Sequence, residues 1–227
     1  MNPNVILDLR MLLVGSNGWS YETIEPALKG GFPHTGSEFS EIVCFDISTS
    51  HNLETEFDKL LRFFNNSQIV RKNSTIMDIF DLEREEPLFD NGFDIIFFDL
   101  RQFIDDEFKV FLMKFLLLSD ELFERSWRRG VPGRVFFILK LATSIDVNRR
   151  TLIECMPTFM ATDSTPESPY GITFALQKTV EKILQQTSEQ RGYSRGIKMK
   201  VTGMDFADSG DGDLLIQFGF DLYAPEN

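Results

Sequence analysis

The chain has 227 residues, 42% of them hydrophobic, enough to bury a full core and most simply as one domain spanning 1–227. A formal net charge of −12 excludes a protein that holds nucleic acid by bulk electrostatics, so any RNA contact must be local. Nothing approaches the roughly 20 uncharged apolar residues of a membrane span, since Lys109 and Lys114 interrupt Phe108 to Leu118.

The opening Met-Asn-Pro-Asn carries no basic region followed by an apolar segment, and the two cysteines, Cys44 and Cys155, are too distant for a metal motif. The expectation is a reduced, intracellular and cytoplasmic protein. The first predicted strand is the apolar run Met11 to Val14, followed at once by Gly15-Ser16-Asn17-Gly18-Trp19-Ser20-Tyr21. A helix near Tyr21 to Leu28 leads to a second strand, Ile42 to Asp46, which closes on a carboxylate 31 residues after Gly15. Strand, glycine turn, helix and strand-end acid form a nucleotide-binding arrangement. Glycines let backbone N–H groups approach the ligand, and the acid accepts hydrogen bonds from ribose hydroxyls.

A helix near Leu53 to Phe64 and a strand near Thr75 to Ile79 come next, then the apolar strand Phe93 to Asp99. Apolar residues at helical spacing predict one helix over Asp106 to Arg128, and Arg134 to Leu141 reads as a strand. From 143 to 169 the pattern loosens into a loop insertion, with Asp163-Ser164-Thr165-Pro166-Glu167-Ser168-Pro169 exposed before a helix at about Ile172 to Thr187. The last strands, Ile197 to Phe206 and Leu214 to Leu222, are joined by so short a turn-rich link that they must form an antiparallel hairpin. The expected fold is therefore α/β, a mostly parallel seven-stranded sheet with helices on both faces, ending in that hairpin.

Asp99 stands at the carboxyl end of a buried strand, where ligands bind in open α/β sheets. Lys140 takes the corresponding place on the next strand; a lysine in so apolar a run is costly unless it meets a carboxylate or a cleft, or extends its head to water. His34 and His51 lack neighbouring ligands, and Asp208, Asp211 and Asp213 depart from a calcium-loop spacing, so no metal is expected. Basic residues cluster at Arg125, Arg128, Arg129 and Arg134, read as a solvated surface ahead of a phosphate track. Twenty-three phenylalanines are many for this length, and a surplus between Phe108 and Phe123 would mark a protein partner within a larger assembly.

The Gly-x-x-Gly-Trp-Ser-Tyr turn, the acid in Phe-Asp-Ile-Ser, Met77-Asp78-Ile79-Phe80, Phe93 to Asp99, and Arg134 to Lys140 before a terminal hairpin resemble the FtsJ-like class of S-adenosylmethionine-dependent RNA 2′-O-methyltransferases. The glycine segment in particular is similar to the Gly-Gly-Trp-Ser signature of the FtsJ and flaviviral cap enzymes. The resemblance implies a Rossmann-like sandwich and S-adenosyl-L-methionine as cofactor. Gly15, Ser16, Gly18, Trp19 and Ser20 would hold its amino-acid part, Asp46 its ribose, and Asp78 with Ile79 its adenine. It further implies an RNA substrate, with mRNA capping as the setting, and a Lys-Asp-Lys-Glu catalytic tetrad. Asp99 and Lys140 match the second and third members, and Asp213 stands where the final glutamate belongs. In that mechanism a lysine with depressed pKa takes the ribose hydroxyl proton while the methyl is held in line.

The tetrad's first lysine has no counterpart among the ten residues before Met11. A catalytically inactive methyltransferase-like interaction module is therefore the alternative. A degenerate short-chain dehydrogenase is the further one, on Tyr170-Gly-Ile-Thr and Arg195-Gly-Ile-Lys198, although the lysine expected four residues after the tyrosine is Phe174.

Overall fold

The first strand of the protein, β1 (Asp8–Val14), is buried at Leu9 and completely so from Met11 to Val14. Such an apolar run suits a strand covered on both faces, and β1 is flanked on both sides by parallel partners. It pairs with β2 (Glu38–Asp46) from Asp8↔Glu38 to Val14↔Phe45, with a register shift between Leu9 and Arg10. On its other side it pairs with β4 (Ile95–Asp99) from Met11↔Ile95 to Val14↔Phe98. The third strand, β3 (Gln68–Asn73), runs parallel to β2 from Glu41↔Gln68 to Asp46↔Asn73. The computed structural model describes residues 8–15, 38–46, 68–73, 91–100, 105–141, 197–208 and 214–225, with separate helical residues between 178 and 189.

These residues fall into two compact units. Met1–Asp99 with Asp120–Phe136 make the first, and Leu100–Ser119 with Phe137–Asn227 the second. The strand β5 (Gly133–Leu141) contributes to each: the first unit has the order β3-β2-β1-β4-β5, and the second β5-β7-β6. There β6 (Lys198–Asp208) and β7 (Leu214–Tyr223) are antiparallel, from Lys198↔Tyr223 to Asp208↔Leu214, with a register shift between Val201 and Gly203. Parallel and antiparallel strands with helices make this a mixed α/β sheet, the expected class. The residues joining β6 to β7, and the segment 143–169, lie outside the described residues.

Two sequence expectations change. The strand that pairs with β2 is Gln68–Asn73, whereas the expected strand at 75–79 lies outside the described residues. Only Ile69 and Val70 form an apolar run in β3, and an edge strand needs no longer one. The single helix expected over Asp106 to Arg128 is three: α1 (Asp105–Leu117), α2 (Ser119–Leu122) and α3 (Glu124–Arg128). At the end of α1 the Leu118 N–H is shared between the carbonyls of Lys114 and Phe115, at 3.1 and 3.2 Å, and the buried Ser119 Oγ donates to the Leu116 carbonyl at 2.8 Å. A hydroxyl competing for the last carbonyls ends a helix that periodicity alone would continue. α3 closes in a Schellman motif: Gly130 N–H donates to Trp127 O at 3.0 Å and Val131 N–H to Ser126 O at 3.0 Å. Gly130 has φ of 73°, a left-handed conformation that glycine adopts without penalty.

The phenylalanines of this region go inward. In the second unit Phe137 meets Phe220 at 5.3 Å between centroids and lies edge-on to Phe111 and Phe115, at 6.4 and 6.3 Å. In the first unit Phe97 stacks on Phe136 at 4.9 Å, and Phe123 tilts against Trp127. Phe111, Phe115 and Phe123 are fully buried, so these three supply core and not a partner surface. Deleting such a ring leaves a cavity among neighbours that cannot close over it. Phe137→Ala is expected to cost about 3–5 kcal/mol, read as a lowered urea midpoint. By contrast Val110→Ala, at a side chain 46% exposed, should stay within about 0.5 kcal/mol.

Candidate functional site

Parallel register decides which residues meet at the ligand-binding end of the first unit. Val14 stands opposite Phe45 on one side and Phe98 on the other. The next residue on each strand, namely Gly15, Asp46 and Asp99, therefore occupies one layer at the carboxyl ends of β1, β2 and β4. Strands about 4.8 Å apart put the backbones of Asp46 and Asp99 roughly 10 Å from each other, with Gly15 between. Asn73, opposite Asp46 at the end of β3, extends the layer.

In the order β3-β2-β1-β4, successive connections leave β1 first toward β2 and later toward β4. That reversal is the topological switch point, and the crevice outside the strand ends there is where open α/β sheets take ligands. Gly15 is buried with φ of 72°. A left-handed residue turns the chain sharply off the strand, and one without Cβ leaves its outer side open to a ligand. Asp99 is half-buried at the end of a strand whose preceding four residues are buried. An ionised carboxylate accepts hydrogen bonds and donates none, so Asp99 at this end suits a ligand bearing hydroxyl or cationic donors. Among the described residues no group of three His, Cys, Asp or Glu could hold a metal ion.

The expected site residues thus divide three ways. Gly15, Asp46 and Asp99 are brought together by the register of the first unit. Lys140 lies in β5 of the second unit, two residues past Ile138, whose carbonyl accepts the Leu100 N–H at 2.9 Å. Ser16, Gly18, Trp19, Ser20, Asp78, Ile79 and Asp213 lie outside the described residues.

Sequence reasoning missed a polar centre at the opposite end of the same strands. Asp94, 3% exposed, precedes β4 and accepts from the Arg10 backbone N–H at 2.8 Å and from Ser126 Oγ at 2.9 Å. Arg125 Nε lies 3.3 Å and Arg129 NH1 3.4 Å from its two oxygens. Arg10 itself is buried, paired with Glu41, donating to the Gly92 carbonyl at 3.0 Å and set over the Phe93 ring at 5.0 Å. Arg125 and Arg129, read as solvated surface, therefore serve an internal acid, while Arg128 pairs with Glu124 on the outside. The signal was present: a charged residue amid Phe93 and Ile95, and another amid Leu9 and Met11, each demand a buried partner.

No family model matches the chain, and no curated protein matches it. Solved structures similar to it include fibrillarin of Aeropyrum pernix with natively bound S-adenosyl-L-methionine, 13% identical, covering 95% of this chain and 67% of that one at a TM-score of 0.41. An rRNA methylase of Streptococcus thermophilus is 10% identical over 98% of this chain and 92% of that one, at 0.38. TrmN of Thermus thermophilus is 10% identical over 97% of this chain, at 0.38, and the chain spans 46% of its length.

Removing the Asp94 carboxylate would leave the buried Arg10 N–H without its acceptor and take an ion-pair partner from both Arg125 and Arg129. Asp94→Ala is expected to destabilise the protein by about 3–5 kcal/mol, as for other broken buried ion pairs. Asp94→Asn, which keeps one acceptor, should cost less. Equilibrium urea unfolding of the two variants beside the wild type checks the order.

Proposed function

We propose that the protein binds S-adenosyl-L-methionine across the carboxyl ends of β1, β2 and β4 and is an S-adenosylmethionine-dependent RNA 2′-O-methyltransferase of FtsJ-like type, acting at or near an mRNA cap. The observation that carries the reading is the single layer holding Gly15, Asp46 and Asp99 at the switch point. The antiparallel β6 and β7 agree with the terminal hairpin that the resemblance implies. The proposed whole is one domain with a seven-stranded sheet.

The residues fit the cofactor's chemistry. Gly15, turning off β1 without a side chain, leaves room for the amino-acid part, to be completed by Ser16, Gly18, Trp19 and Ser20. Asp46 accepts hydrogen bonds from the ribose hydroxyls, and Asp78 with Ile79 lines the adenine. When bound, the cofactor supplies an electrophilic methyl group. Lys140 would take the proton from the ribose 2′-hydroxyl, and Asp99 and Asp213 would fill the acidic positions of the tetrad. With a net charge of −12, the protein grips RNA by local contacts or with a protein partner that supplies more of the groove.

Calorimetric titration of the purified protein with S-adenosylhomocysteine, with NADH in parallel, is the first test. Saturable binding of the first ligand alone is expected. Binding of NADH alone would move the reading to a dehydrogenase, and binding of neither to an interaction module. Asp46→Ala should weaken S-adenosylhomocysteine by roughly tenfold or more, the scale of a charge-assisted hydrogen bond. Lys140→Ala should abolish methyl transfer to RNA while leaving that affinity nearly unchanged; full activity in this variant would end the proposed mechanism.

A further inference from the structure

We draw no further inference here: the strongest candidate, the surface patch that the exposed Val110 and Met113 form one turn apart on α1, is an unpartnered apolar face, and nothing in the structure shows what covers it.

Discussion

The first unit depends on how Asp94 holds Arg10. Its backbone N–H donates to the Arg10 carbonyl at 2.8 Å, its carboxylate accepts the Arg10 N–H, also at 2.8 Å, and its carbonyl accepts the Arg134 N–H at 3.1 Å. One residue thereby ties the starts of β1, β4 and β5. From that anchor the pairs run upward from Met11↔Ile95 to Val14↔Phe98. A slip of one residue would reverse every side chain of β4 and take Asp99 out of the layer of Gly15. The polar centre at one end of the strands therefore sets the geometry of the candidate site at the other.

A carboxylate buried so deeply is tolerable only because it is surrounded. Ser126, Arg125 and Arg129 all come from α3 and the residue after it, so the acid also fastens that short helix to the sheet. The Schellman turn at Gly130 then returns the chain to β5. Much of the arginine in this region is thus turned inward. In a protein of net charge −12, the positive charge near 125–129 is thus engaged with Asp94 and Glu124.

The two ends of the chain's architecture use different physics. In the first unit, parallel register brings Gly15, Asp46 and Asp99 to one layer. In the second, aromatic packing of Phe137 with Phe111, Phe115 and Phe220 builds the core.

Much of this was legible before any coordinates. The positions of β1, β2, β4, β5, β6 and β7 were legible to within a few residues, those of β1 and β4 because a strand covered on both faces is continuously apolar. Asp46 and Asp99 were recognisable as strand-end acids for the same reason. The edge strand β3 was not foreseen, since Ile69 and Val70 alone make too short an apolar run to signal it, and the breaks at Leu118 and Phe123 were hidden because helical periodicity persists across them. What the sequence by itself determined was the alternation of strands and helices and the residue types at the strand ends, both consequences of local hydrophobic pattern. Only the tertiary structure decided that Gly15, Asp46 and Asp99 share a layer, that Asp94 gathers Arg10, Arg125 and Arg129, and that β6 is an edge. Register, burial of a charge and strand order arise from hydrogen bonds between segments far apart in the chain, which no local pattern encodes.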